Sequence, residues 1–160
     1  MYASQLSANS KVVYLDIDKI LSSSLAGKSI KIFLDKEVEK NSIFFKTKEK
    51  ELKDKEKSII SQKNIIKEDE YKIKIENFKK EVSDYKKKIN ESNTNLAKQR
   101  VQLTNKLITE INPILANYSN ENSISLIIQK KNIIIGKKEL DITDEVIKLL
   151  DKKIKKINLN

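Results

Sequence analysis

Ala26-Gly27-Lys28-Ser29 has the residue types that end a phosphate-cradling loop, where backbone N–H groups and a lysine surround the anion. The first glycine of such a loop would fall at position 22, which is Ser22, and no strand leads directly into it. The segment therefore reads as the entry to a helix. Asp16 and Asp18 suggest the opening of a cation loop, yet no further oxygen ligands follow at the spacing such a loop needs. The chain has no histidine and no cysteine. That excludes His-assisted nucleophiles, Cys nucleophiles and zinc sites built from those side chains. Its carboxylates sit mostly among lysines in helical segments, where i±4 pairing is their expected role rather than acid–base catalysis. Neither an enzyme nor a bound cofactor or metal is expected.

With chemistry set aside, shape carries the functional signal. A helix-forming stretch from about Ala26 to Tyr118 holds one glycine near its start, Gly27, and one proline near its end, Pro113. Two short β-like segments flank it. Lys11–Ile17 is a β-branched run that reads as a strand, and Asp18-Lys19-Ile20-Leu21 suggests a brief helical turn. Ser22-Ser23-Ser24 then offers a place to cap and redirect the chain.

From Leu25 onward the pattern is helical. Val38, Phe45, Leu52, Ile59 and Ile66 recur every seven residues, as in a coiled coil. The second core positions of that repeat are polar (Asn41, Lys48, Lys55, Gln62), which predicts a thin seam. A second stripe, from Tyr71 through Ile75, Phe78, Val82, Tyr85, Ile89, Ser92, Leu96 and Gln99 to Leu103, steps by fours and threes. Glu68, Asp69 and Glu70 suit a helix first turn, where carboxylates complement the dipole. The tip of an antiparallel hairpin is therefore placed near residues 64–67. Asn90–Asn95, with low helix propensity, is a rival tip that would leave much of the first helix unpaired.

Beyond Pro113, which is expected to bend or restart the returning helix, Ser123–Ile128 and Asn132–Ile135 read as a β-hairpin. A last helix follows, with Thr143 expected as its N-cap and Ile142 and Ile147 as a hydrophobic staple. The predicted class is α+β. Residues 1–10 form a flexible N-terminus, residues 11–25 and 119–160 a small β body made by both termini, and residues 26–118 a helical hairpin arm.

The formal net charge is +10, and Arg100 is the only arginine. Spread lysine charge draws acidic partners and anionic surfaces at low salt without the forked donors of specific phosphate or base readout. Specific nucleic-acid binding is not expected. No secretory signal is visible at Met1–Ser10, and no apolar run is long enough to span a bilayer. Tyr71, Phe78 and Tyr85 fall on the seam, whereas Phe44, Ile60 and Ile65 lie off it and are sticky-surface candidates.

Lys11–Ile17 with Asp18–Leu21 and Ala26-Gly27-Lys28 resembles the start of the Skp/OmpH family of periplasmic chaperones. Asn112-Pro113-Ile114-Leu115 is similar to the proline of that family's returning helix, and Leu140–Val146 to its closing motif. The resemblance covers about residues 11–155. It implies a jellyfish-like homotrimer in the periplasm, without nucleotide, whose helical arms enclose unfolded outer-membrane proteins. Client contacts would then come from Phe44, Phe45, Ile60, Ile65, Tyr71, Phe78 and Tyr85. Val12, Tyr14, Leu126, Ile128 and Ile134 would join the bodies. Lipopolysaccharide or an anionic membrane surface is a further implied partner, although the scarcity of arginine prevents carrying over family contacts residue by residue. Two other readings stay open on the residues alone: a structural coiled-coil spacer, and a basic surface binder.

Overall fold

A computed structural model describes residues 11–157; the expected flexible segment 1–10 and the last three residues lie outside them. The chain divides into two compact units, 11–32 with 101–157, and 33–100. The fold is mostly helical, with a small two-stranded sheet built from both ends of the chain.

In the first unit, β1 (Lys11–Leu15) is followed by α1 (Ile17–Ser23) and the start of α2 (Leu25–Ser61). The end of α3 (Glu68–Glu121) leads into β2 (Ile124–Gln129), and α4 (Thr143–Lys153) closes the unit. The predicted helical turn after β1 is α1, capped by the Asp16 carboxylate, which accepts the Lys19 N–H at 2.9 Å. Ser24 ends α1 by donating its N–H to the Ile20 carbonyl, and its Oγ accepts the Gly27 N–H at 3.0 Å to open α2. One serine thus serves two helix ends.

The sheet corrects the sequence reading. Residues 124–129 do form a strand, but its partner is β1, in parallel register from Val12↔Leu126 to Leu15↔Gln129. A parallel pair needs a long crossover, and α1 through α3 supply it. The expected hairpin with residues 132–135 does not form. Lys130–Asn132 makes a 3-10 turn instead, and Ile134 is 99% exposed. Gln129-Lys130-Lys131 contains none of the Gly or Asn residues that a tight hairpin turn with positive φ requires.

Val13, Leu15 and Ile20 are buried with Ala26 and Ile30 of α2, with Leu103, Leu107, Ile111 and Ile114 of α3, and with Val146 and Leu150 of α4. Each fully buried aliphatic side chain contributes about 1.5–3 kcal/mol relative to exposure. This core draws on the chain-proximal parts of α2 and α3, so the compact division falls inside those helices. Pro113 lies within α3, and α3 continues through it to Glu121.

The start of α4 is also corrected. Thr143 is not its N-cap but its first helical residue, and it is buried. The Asp141 carboxylate accepts the Thr143 N–H at 3.0 Å and also its hydroxyl proton. Thr143 Oγ1 in turn accepts the Asp16 N–H at 2.9 Å, across 127 residues of sequence. The threonine is held inside because it bridges the two chain ends, and the capping role passes to Asp141. Of the expected staple, Ile142 is buried and Ile147 is half-buried.

The second unit is an antiparallel pair of helices. Tyr85 Oη donates to the Phe45 carbonyl, Lys55 pairs with Glu81 at 2.5 Å, and Lys74 donates to the Gln62 side chain at 2.6 Å. As one partner's number rises the other's falls, which fixes the antiparallel sense. The turn between the helices spans residues 62–67, where the tip was expected, and Glu68, Asp69 and Glu70 fill the first turn of α3. The Asn90–Asn95 segment is helical throughout, so the rival tip is excluded.

Candidate client-binding surface

In the hairpin unit only Leu34, Leu52 and Ile59 are buried, all from α2. The α3 stripe from Tyr71 to Gln99 is half-buried at every position, since its larger side chains straddle the seam and leave one edge in water. Val38, expected on the seam, is exposed. The less exposed line runs through Leu34, Glu37, Asn41 and Phe45, so between Leu34 and Asn41 it passes over Glu37 and leaves Val38 in water. The seam is as thin as its polar positions imply.

The candidate residues divide by exposure. Phe44 and Ile60 are more than half exposed, and Ile65 at the turn is 78% exposed. Phe45, Tyr71, Phe78 and Tyr85 are half-buried in the seam. Phe44 stands edge-on to Phe45 with centroids 5.2 Å apart, and Phe45 stands edge-on to Tyr85 at 6.0 Å. These distances suit T-shaped aromatic pairs. The structure therefore brings Phe44, Phe45 and Tyr85 into one cluster. The exposed apolar residues lie between ion pairs such as Lys48–Glu51 and Lys53–Glu49, which keep an otherwise sticky surface in water.

In the body unit, Val12 and Leu126 are exposed, Ile128 is half-buried and Ile134 stands free of the core. Tyr14 differs from these four. It is buried, its hydroxyl donates to the Lys137 carbonyl at 3.1 Å, and its ring lies where a side chain on Gly136 would otherwise reach. Tyr14 thus serves the chain's own core and offers little surface to another copy. One edge of β1 is occupied by β2 and the other is bridged at Tyr14–Asp141, whereas the outer edge of β2 has no partner strand among the described residues.

The carboxylates of the body act as ties. Asp144 accepts Lys19 at 2.7 Å and Asp141 accepts Lys130 at 2.9 Å. The hydrogen bond from Lys19 to Asp144 raises the lysine pKa, and the bond from Lys130 to Asp141 does the same. For Asp141, partial burial pushes the pKa up, but bonds from Thr143 and Lys130 outweigh it and hold the net value below the ordinary one. A carboxyl whose pKa is lower folded than unfolded stabilises the fold above its unfolded pKa and ceases to do so as pH falls through the folded value. Asp141 should therefore support the body at neutral pH and lose that effect below about pH 4. Urea unfolding of Asp141→Asn checks this: the variant should be less stable than the parent at pH 7, and the gap should shrink at pH 3. A gap of equal size at both pH values would contradict it.

Among the described residues no group of three or more Asp or Glu is placed to hold a metal, and no helix is long and apolar enough to cross a membrane. The Gly27 segment lies in the first turn of α2, with Gly27 itself buried. The described residues form a small body knitted from both chain ends and a helical hairpin with apolar residues left in water.

A family model for the OmpH-like outer membrane proteins matches residues 11–150. The chain belongs to that family. A crystal structure from Caulobacter crescentus CB15, named for an OmpH-like outer membrane chaperone, superposes with a TM-score of 0.89. It covers 99% of this chain and 94% of that one at 16% identity, which shows a shared fold. No curated protein matches the sequence. The fold is that of the OmpH-like family.

Sequence reasoning missed two residues that organise the body. Asp141 caps α4 although the spacing points to Thr143, and Gly27, read as part of a helix entry, packs against the Leu21 carbonyl.

Proposed function

We propose that this chain is an ATP-independent holdase that keeps unfolded outer-membrane β-barrel proteins soluble during their passage through the periplasm. Three copies assemble through their bodies in a jellyfish-like homotrimer, and the three hairpins enclose the client. The observation that carries this reading is the hairpin surface, where Phe44 and Ile60 of α2 and Ile65 of the turn stand in water among lysine and glutamate side chains. Family membership over residues 11–150 supports it. A thin seam lets the hairpin adjust to clients of different size, because few buried contacts oppose local opening. Many weak apolar contacts then add through multivalency while the client stays mobile.

The free outer edge of β2, the exposed Val12, Leu126 and Ile134 and the half-buried Ile128 support assembly through the bodies, since an uncovered strand edge invites pairing. Lysine-rich surface is what would meet lipopolysaccharide or an anionic membrane. Solution mass tests the assembly. Light scattering behind a sizing column should give three chains per particle, and one client per three chains once an unfolded barrel protein is added. A monomeric particle that carries no client would overturn the proposal and leave the coiled-coil spacer.

A further inference from the structure

Beside the Phe44–Phe45–Tyr85 cluster lies an open hollow of about 180 Å³. A dry cavity of about 150 Å³ lined by Leu, Ile and Phe accepts one benzene. The hollow therefore has room for one ring, and not for several side chains at once. Its aromatic wall is preset. The Tyr85 hydroxyl is committed to the Phe45 carbonyl at 3.2 Å, which fixes that ring, and Phe44 presents the outer member of the edge-to-face series with 56% of its surface exposed.

The charged groups on the rim fall into two kinds. Lys48 is taken by Glu51 at 2.7 Å, and Glu81 by Lys55. Asp84 and Lys88, one helical turn apart on α3, have no ion-pair or hydrogen-bond partner among the described residues. They leave one acceptor and one donor beside a ring-sized hollow. An extended peptide offers the complement to both, an amide N–H and a carbonyl, at every residue.

We infer that this hollow is a single-ring subsite for unfolded polypeptide: it seats one aromatic side chain, while Asp84 accepts from and Lys88 donates to the main chain beside it. The inference rests on the holdase reading of the hairpin and narrows what that surface selects. Such a subsite reads a ring and a backbone, so it tolerates any sequence around the aromatic residue. Transmembrane β-strands suit it, because they carry aromatic girdles at both membrane interfaces.

The chain contains no tryptophan, so the emission of a tryptophan-bearing peptide, excited at the red edge where the chain's tyrosines do not absorb, reports the peptide alone. The probe is a flexible Gly/Ser peptide with one central tryptophan, titrated with the full chain. A saturable blue shift is expected, reversed by excess of the same peptide carrying phenylalanine but not by the alanine version. Phe44→Ala and Phe44→Leu should each weaken binding about three- to tenfold, as expected for loss of one aromatic pair. Ile73→Ala, at another exposed position of α3, should leave binding within about twofold. Phe44→Leu keeps the apolar area, and unchanged helicity by circular dichroism certifies both variants as folded.

Equal binding by the parent and the folded Phe44 variants, or no blue shift with the parent, overturns the subsite. Suppression of barrel-protein aggregation is measured alongside. A parent chain that suppresses aggregation but binds peptide independently of Phe44 overturns the subsite and leaves the holdase reading standing. A parent that binds the ring through Phe44 yet fails to suppress aggregation overturns the holdase reading and upholds the subsite.

Discussion

Gly27→Ala should destabilise the body by about 3 kcal/mol or more, the reverse of the usual effect of that substitution in a helix. In an unconstrained helix interior alanine is favoured over glycine by about 1 kcal/mol. Here a Cβ on residue 27 would lie 1.8 Å from the Leu21 carbonyl oxygen and 2.7 Å from its carbon. Both are main-chain atoms, so relief requires moving a helix and not turning a side chain. The helix concerned is α1, which cannot shift cheaply: Ile20 is fully buried and Asp16 caps its first turn. The two helices meet within a few residues because the Ser24 corner is tight, and glycine is what permits the approach. Hydrogen exchange under mild urea reads the outcome. Amides of β1 and α4 should lose protection in Gly27→Ala, and a gain of stability would contradict the packing described.

Leu150→Ala is the second large effect, with an expected loss of about 2–5 kcal/mol. Leu150 is fully buried and lies one turn beyond Val146, also fully buried, on the inner face of α4. Truncation removes transfer energy and leaves a cavity that a small body cannot readily collapse. The damage should spread along specific ties. Asp151 of α4 accepts the Leu25 N–H at 2.7 Å, and Asp144 pairs with Lys19. Loosening α4 therefore uncaps the start of α2, and exchange at Leu25 should accelerate together with that of α4. Lys148→Ala, at an exposed position on the same helix, should change stability by less than about 0.5 kcal/mol. A comparably small loss in Leu150→Ala would mean that α4 is not part of the core.

Features governed by neighbours in sequence were legible before the fold was seen. The turn at residues 62–67, the acidic first turn of α3 and the short helix after β1 all follow from caps, breakers and local charge. The missed features have distant causes. The parallel pairing of β1 with β2 joins residues more than a hundred positions apart, and nothing near Ile124 announces that its partner is Lys11 rather than the adjacent isoleucine run. Thr143 looks like a cap until Asp16 claims its hydroxyl. Val38 departs from the heptad because the seam follows its buried partners and not the count of sevens.

The candidate surface divides in the same way. That Phe44, Ile60 and Ile65 leave the seam could be read from the heptad phase alone. That Phe44, Phe45 and Tyr85 form one cluster required the pairing of α2 with α3, which brings residues 40 positions apart into hydrogen-bonding distance. Periodicity tells which face a residue occupies; pairing tells which residues share it.

The measurement that bears most directly on the proposed holding function is light scattering after a urea-unfolded outer-membrane β-barrel protein is diluted into buffer without nucleotide. Three equivalents of this chain should suppress the rise in scattering and leave the client in a soluble complex. Scattering that rises as it does without the chain, while circular dichroism shows the chain to be folded, would contradict the account.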